Sequence, residues 1–290
     1  MKARARYPAS FGELVQGRNQ GMDILISCPV NLFTEVTLFE SKEKRQQNNF
    51  KSIKFLHNIL TRWGLEEYID DLDIIVNSNI PRGKGFASST ADLSALYYAL
   101  LDFYGRQFNE KELIEECIKI EPTDSIIFDK LTVFDYKKGT YKRALGEYPK
   151  LYILAFEGRK IIDTISFNKR KLKKAEEVGD LIDKVKASLK VNNIEDIALA
   201  STESIIRNKA RLNYEILDEI LRLKDNTFGL GILGAHSGDA LGIIYDSKKA
   251  REKAMEKVFN IRGYKIYKLE TLLKHEMNWG ISNEYYGINK

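Results

Sequence analysis

Apolar residues recur every three or four positions in several stretches of the chain, which is the spacing of one face of a helix. This spacing predicts helices over about 53–63 and 88–104. Gly64 is placed to end the first of them, because glycine readily adopts the left-handed conformation of a helix C-terminus. A further helix is predicted to begin after Asn109, since Asn109 and Glu112 have the spacing of a capping box.

The second half of the chain has two longer stretches with helical spacing. The first covers about 171–191, and the lysines and arginines at 169–174 mark its solvated start. The second covers about 194–223 and is predicted to be interrupted. From residue 264 onward the chain is charged and aromatic, and its leucines give it only weak helical character.

Short apolar runs rich in β-branched residues predict strands between these helices. Two of them lie close together near the N-terminus and are expected to form a β-meander. The predicted strands cover about 24–27, 32–39, 72–76, 131–134, 151–156 and 241–245.

Length and composition predict a globular protein of one large or two ordinary domains. The chain has 290 residues, of which 43% are hydrophobic, so it can build substantial cores. Its composition shifts over 137–149, and we place a boundary there between domains 1–147 and 148–290, the second with an unassigned tail from about 264. The two isolated cysteines argue against a disulfide framework and against a structural zinc site.

Charge says little about the class of partner, and hydropathy says more. Forty-six basic against 41 acidic residues give a net charge of +5, which suits a polyanionic metabolite as well as nucleic acid. The N-terminus lacks an apolar stretch of signal-peptide length, and no apolar run approaches the length of a membrane span. We therefore expect a cytoplasmic protein with small-molecule partners and without nucleic-acid or membrane partners, either a monomer or a homodimer.

The stretch 81–92, Pro-Arg-Gly-Lys-Gly-Phe-Ala-Ser-Ser-Thr-Ala-Asp, joins a predicted strand to a predicted helix. Glycines let backbone N–H groups approach a phosphate, and the first turn of a helix offers unpaired N–H groups and partial positive charge. The spacing differs from that of a Walker A loop. The alternative interpretation is a glycine turn whose serines only cap the helix.

This stretch resembles the phosphate-binding motif of the GHMP kinases, whose usual form is Gly-Leu-Gly-Ser-Ser-Ala. Phe86, Ala87 and Thr90 replace a leucine, a glycine and an alanine of that form. The resemblance implies an α+β GHMP kinase fold, with an N-terminal ribosomal-protein-S5-domain-2-like domain and a C-terminal ferredoxin-like α/β sandwich. It implies ATP and Mg²⁺ as cofactors. The residues expected to bind ATP are Pro81, Gly83, Lys84, Gly85, Ala87, Ser88, Ser89 and Thr90.

A second segment near the N-terminus resembles the same family. Pro-Ala-Ser-Phe-Gly-Glu-Leu-Val-Gln-Gly over 8–17, followed by Ser-Cys-Pro-Val, is similar to the L-threonine kinases of cobalamin biosynthesis, although Leu14 stands where many GHMP kinases have histidine. The resemblance implies that Ser10 and Glu13 bind the substrate, with Glu13 on its ammonium group or helping to hold magnesium. A lone glutamate is otherwise most often a solvated surface residue.

The segment Glu-Pro-Thr-Asp-Ser over 121–125 also resembles the threonine kinase branch. The resemblance implies that Asp124 faces the hydroxyl to be phosphorylated and that Glu121 is a magnesium ligand beside Ser89. The alternative is that both carboxylates only cap a turn around Pro122.

A third glycine-rich segment, 229–242, leads into a predicted strand and resembles the C-terminal GHMP motif. The resemblance implies that His236 and Ser237 contact phosphate or substrate, whereas a packed loop histidine is the alternative.

Together these motifs predict a small-molecule kinase. Lys84 and Asp124 are the predicted catalytic residues, one as a charge on the phosphates and the other as acceptor or orienter of the hydroxyl proton. The branch that the motifs resemble implies L-threonine as the acceptor, in the route to the aminopropanol linker of cobalamin. A kinase of homoserine, serine or a mevalonate-like acid, and a non-catalytic nucleotide-binding regulator, are the alternatives.

Overall fold

The computed structural model describes residues 1–42, 49–158, 173–212, 214–235, 240–258, 263–276 and 280–281. Over these residues strands and helices are mixed in an α+β arrangement. The strands are β1 (Lys2–Ser10), β2 (Val15–Asn19), β3 (Met22–Ile26), β4 (Pro29–Glu40), β5 (Leu72–Ser78), β6 (Leu131–Asp135), β7 (Lys142–Gly146), β8 (Tyr152–Glu157), β9 (Gly231–Gly234), β10 (Ala240–Tyr245), β11 (Lys265–Glu270) and β12 (Gly280–Ile281). The helices are α1 (Phe50–Trp63), α2 (Ser88–Tyr104), α3 (Glu110–Ile120), α4 (Gly179–Lys190), α5 (Ile194–Leu212), α6 (Leu217–Asn226) and α7 (Lys248–Lys257).

The predicted helices of the first half are confirmed. Helix α1 ends at Gly64, whose φ of 69° is left-handed, and α2 ends at Gly105 in the same way. Helix α3 begins as predicted, with the Asn109 side chain accepting a hydrogen bond from the Glu112 backbone N–H. Local sequence signals therefore determine where these helices start and stop.

The first sheet has the strand order β12-β1-β4-β5, and its described pairings are antiparallel. Helix α2 packs across β1 and β4. Alternate residues of β1 are fully buried beneath it, including Ala5 and Tyr7, as expected for a strand with one face on the core. This packing fixes the start of α2 relative to the end of β1.

The second sheet has the order β2-β3-β6-β7, which overturns the predicted β-meander. Strands β3 and β4 follow each other in the chain but belong to different sheets. The chain leaves the second sheet at Ser27, whose backbone N–H donates to Ser125 Oγ at 2.9 Å and whose hydroxyl donates to Asp124. These hydrogen bonds replace the strand pairing that a meander would have made.

The third sheet has the antiparallel order β11-β8-β10-β9. Helices α5 and α6 pack on β9, and α7 packs on β8. The weak helical character predicted after residue 264 is wrong for 265–270, which form strand β11 beside β8. Hydrogen bonding to β8 outweighs the weak local preference.

The predicted helix 171–191 begins later than expected, at Gly179. Residues 173–178 are not helical, because the chain there runs beside β2: Arg18 N–H donates to Glu176 O at 2.8 Å, and Val178 N–H donates to Arg18 O at 2.9 Å. The predicted interruption of the next helix is confirmed by the separate helices α5 and α6.

One large hydrophobic core extends from Ala3 to Leu272 and includes residues on both sides of the predicted domain boundary. A smaller core lies around Leu154, Phe156 and Ile243, between the third sheet and its helices. Among the described residues, no helix is long and apolar enough to cross a membrane. The boundary near residue 147 stays a prediction.

Candidate active site

The loop between β5 and α2 has an unusual backbone. Gly83 and Gly85 have φ angles of 68° and 85°, and Ala87, the residue that precedes the first turn of α2, has a φ of 51°. Left-handed backbone is easy for glycine and costs an alanine about 1 kcal/mol or more. Every second residue of the loop from 83 to 87 thus has left-handed backbone, which bends the chain tightly just before the helix.

Side-chain burial alternates along the same loop. Lys84 and Phe86 are buried, whereas Ser88 and Ser89 are partly exposed at the first turn of α2. No side chain caps that turn within the described residues. Backbone N–H groups and two accessible hydroxyls at a helix N-terminus are a donor set suited to phosphate oxygens, so the residues present fit ATP.

The first glycine segment contacts this loop and also contacts the third glycine segment. Gly12 N–H donates to Gly85 O at 3.0 Å, and Glu13 N–H donates to Gly234 O at 3.2 Å. A Cβ on Gly12 would lie 2.5 Å from the carbonyl carbon of Gly234, closer than real contacts allow. Glycine at position 12 is therefore required for the two backbones to approach each other.

Asp124 lies where several elements converge on the start of α2. Its carboxylate accepts from the Ser27 hydroxyl at 2.8 Å, and its backbone N–H donates to Thr90 Oγ1 at 3.2 Å. Tyr7 holds the turn that follows, because its hydroxyl donates to Ile126 O at 3.0 Å. The first turn of α2 and the backbone of Asp124 are therefore directly connected by a hydrogen bond.

The pKa of Asp124 is raised to about 7. Loss of water around the carboxyl group is the largest cause, and the charge of Glu13 adds to it, followed by that of Glu121. The Ser27 and Ser10 hydroxyls act in the opposite direction by hydrogen bonding. Asp124 is partly exposed, so a ligand can reach it. A carboxylate that titrates near neutral pH can exchange a proton with a bound hydroxyl.

The other acidic residues of the site are buried. Glu13 is 5% exposed and Glu121 is 6% exposed. One oxygen of Glu121 accepts from Lys51 Nζ at 2.7 Å, and the other is buried without a partner among the described residues. The Ser10 hydroxyl is also buried and has no partner of full hydrogen-bonding geometry there.

The residues present could give a magnesium ion only a few protein ligands. The described residues contain no group of three or more His, Cys, Asp or Glu side chains arranged to hold a metal ion. The free oxygen of Glu121 is a hard ligand of the kind Mg²⁺ prefers, and this ion commonly takes its remaining ligands from phosphates and water. Glu121 and Ser89 stay predictions as its ligands.

Lys84 contacts the end of β8. Its ammonium donates to Gly158 O at 2.6 Å and lies 3.9 Å from Glu157 Oε1, at the end of β8. The side chain therefore points toward the third sheet. Its role as a charge on the phosphates stays a prediction.

The remaining predicted residues are placed as follows. Pro81 is partly buried at the beginning of the loop, and Thr90 is buried in the first turn of α2. His236 and Ser237 lie outside the described residues. Sequence reasoning missed Ser27, which follows β3 and reaches Asp124, and Lys51, which reaches Glu121 from α1. Only the similarity of Ser-Cys-Pro-Val to the threonine kinases pointed toward Ser27.

This fold and loop define a class of small-molecule kinases. Residues 51–129 match the GHMP kinases N terminal domain, and residues 185–265 match the GHMP kinases C terminal domain. The chain belongs to the GHMP kinase family.

Its relatives include two curated L-threonine kinases. That of Citrobacter freundii is 30% identical over 253 residues, covering 85% of this chain and 88% of the relative. That of Salmonella typhimurium is 28% identical, covering 85% and 84%. A crystal structure of homoserine kinase from Cytophaga hutchinsonii has a TM-score of 0.73 at 18% identity, covering 94% of this chain and 95% of that one, which shows the shared fold.

Proposed function

We propose that this protein is an ATP-dependent kinase that phosphorylates the side-chain hydroxyl of L-threonine to O-phospho-L-threonine, in the route to the aminopropanol linker of cobalamin. One observation carries the catalytic part of the proposal: Asp124, with a pKa of about 7, is hydrogen-bonded to Thr90 in the first turn of α2. The L-threonine kinases among its relatives support the acceptor.

The loop 81–90 binds the triphosphate of ATP in this proposal. The backbone N–H groups at the start of α2 and the Ser88 hydroxyl donate to phosphate oxygens, and the Ser89 hydroxyl and Glu121 would hold the magnesium ion. Bound magnesium supplies positive charge next to the phosphates. Phosphoryl transfer has a loose transition state, so this chain contributes chiefly positioning and charge neutralisation.

Asp124 orients the threonine hydroxyl and accepts its proton. The carboxylate form is present at and above neutral pH, because the pKa is about 7. Ser27 keeps the carboxylate turned toward the site by its hydrogen bond of 2.8 Å. An aliphatic alcohol gives up its proton late in a loose transition state, so a variant without the carboxylate keeps residual activity.

Glu13 binds the ammonium group of the amino acid. It is buried beside Asp124, whose pKa it raises, so the two carboxylates lie close enough to contact one small substrate. An ammonium group would neutralise part of this negative charge. Ser10 is the second proposed contact, because a substrate can supply a hydrogen-bond partner to its buried hydroxyl.

A panel of acceptors tests the substrate. ADP release is measured with purified protein, Mg²⁺-ATP and L-threonine, L-serine, L-homoserine or mevalonate. We expect kcat/KM for L-threonine to exceed that for L-serine by at least about tenfold, the value of the one methyl group that serine lacks. L-Homoserine, an isomer of threonine whose hydroxyl is one carbon further along the side chain, should also react more slowly, because its hydroxyl is displaced from the reacting position. Ser89→Ala is the control for contaminating kinases, because it should remove most of the turnover.

Equal rates on threonine, serine and homoserine would overturn the assignment of L-threonine and leave the family. Nucleotide binding without turnover on any acceptor would favour the non-catalytic regulator.

A further inference from the structure

Two buried side chains of the phosphate loop, Lys84 and Phe86, are held by the third sheet. Lys84 bonds the carbonyl of Gly158 and lies beside Glu157 on β8. Tyr267, on the neighbouring strand β11, donates its hydroxyl to the other carboxylate oxygen of Glu157. We call Lys84, Phe86, Glu157 and Tyr267 the loop anchor.

Phe86 extends the loop anchor with aromatic contacts. Its ring lies 5.6 Å from that of Tyr267 and 5.0 Å from that of Phe11, both in tilted or edge geometry. Phe11 precedes Gly12, whose N–H donates to Gly85 O. The loop is therefore held by two of its side chains and by a backbone hydrogen bond.

Buried side chains and left-handed backbone alternate along the loop, so the anchor contacts act next to the strained positions. Residues 84 and 86 are anchored, and the residues between and beside them, Gly83, Gly85 and Ala87, have left-handed backbone. Such backbone is retained at a non-glycine residue when its surroundings impose it. A loop that already has its binding conformation loses little conformational entropy when the ligand binds.

The positions of Lys84 and Glu157 depend on each other, because their opposite charges are both largely buried. The side chains of Lys84 and Glu157 are only 8% and 15% exposed. A buried ammonium without a counter-charge is costly, so the position of Lys84 depends on Glu157. Both oxygens of Glu157 face anchor residues: one lies near Lys84 and the other accepts from Tyr267.

We propose that Lys84 is a positioning residue, which acts with Glu157 and Tyr267 to fix the phosphate loop in the shape that binds ATP. This inference rests on the proposed function in one respect only, that the loop binds ATP. The inference also gives a role in nucleotide binding to strand β11, which lies in the tail where the sequence has no recognised motif.

A double-mutant cycle on nucleotide affinity tests the inference. The Kd for the non-hydrolysable analogue AMP-PNP with Mg²⁺ is measured by calorimetry for Lys84→Met, Glu157→Gln and the double variant. We expect each single variant to bind about tenfold more weakly and the double variant also about tenfold, rather than about a hundredfold, because coupled residues are not additive.

Two further variants complete the design. Tyr267→Phe removes only the hydroxyl of the anchor and should weaken binding in the same direction. Lys268→Met, one residue along β11, breaks the exposed pair of Lys268 with Glu252 at 2.9 Å and should bind like the wild type. If Lys84→Met fails to fold, Tyr267→Phe and Glu157→Gln carry the test.

Kinetics separate positioning from catalysis. A positioning role raises the KM for ATP while kcat at saturating ATP stays within about threefold, since the anchor acts on binding. The inference is overturned if Lys84→Met alone weakens binding, if the double variant is additive, or if kcat falls about a hundredfold for Lys84→Met only, as a direct phosphate contact would give. Wild-type protein that binds AMP-PNP but phosphorylates no acceptor would refute the proposed function alone; failure to bind AMP-PNP would refute both.

Discussion

Asp124 is the residue whose chemistry depends most on its distant neighbours. Glu13 and Ser27 approach it from the N-terminal segment, about a hundred positions away in the chain, and their effects on its pKa are opposite. The motif around residues 121–125 makes this carboxylate a candidate from the sequence alone. Its pKa could not be foreseen, because that property comes from burial and from side chains that only the fold brings together.

The raised pKa of Asp124 predicts linked effects on activity and stability. Activity of the wild type should rise as the pH increases through about 7, where the carboxylate forms. Stability should change in the opposite sense. A pKa raised by folding contributes stability that is complete below the unfolded-state value near 4 and is lost as the pH rises through the folded-state value.

Asp124→Asn should therefore lower kcat by about a hundredfold or more at pH 8. Relative to the wild type, its free energy of unfolding should increase between pH 5 and pH 8 by about 2 kcal/mol, allowing for the partial exposure of Asp124. Urea unfolding and ADP release at both pH values measure the two quantities. Wild-type turnover by Asp124→Asn at saturating threonine would contradict the assigned role.

Helix α2 is the element that organises the site, and most of it could be predicted. The predicted bounds of about 88–104 agree with the structure, because apolar spacing and flanking glycines are local signals. The contacts that hold the loop before α2 against the third sheet were not predicted. The contact of Lys84 with Glu157 could not be foreseen, because it spans more than seventy positions of the chain and leaves no local signal.

The start of α2 carries a strain that can be tested. Ala87 has a φ of 51°, so Ala87→Gly should raise the free energy of unfolding by about 0.5–1 kcal/mol, the relief of left-handed strain less the added freedom of glycine in the unfolded chain. Ala91→Gly, inside the same helix, is the matched control and should lower it by about 1 kcal/mol. Urea denaturation measures both, and equal destabilisation by the two changes would disprove strain at Ala87.

At the scale of the whole molecule, the two predicted domains share buried contacts. Gln16 in β2 donates its backbone N–H to Ser204 Oγ at 3.0 Å, and its carbonyl accepts from Asn208 Nδ2 at 3.1 Å, both on α5. The large hydrophobic core also spans the predicted boundary. The sequence indicated a boundary through a change of composition, but composition carries no information about how closely two parts pack.

The shared core predicts one cooperative unfolding transition. Differential scanning calorimetry should give a calorimetric enthalpy equal to the van't Hoff enthalpy, with fluorescence and circular dichroism changing together. Two resolved transitions would show that the parts on either side of residue 147 unfold independently. AMP-PNP should shift the single transition upward as a whole, because it binds only the folded form.

The order of strands in the first sheet also bears on how the protein is synthesised. Strand β1 is paired at Ala5 and Arg6 with residues 280–281, and Pro29 O accepts from Leu272 N–H at 2.9 Å. A ribosome adds these partners long after β1 and β4 have left the exit tunnel. Until then the nascent chain carries an unpaired strand edge, the kind of surface on which chaperones act and aggregation begins.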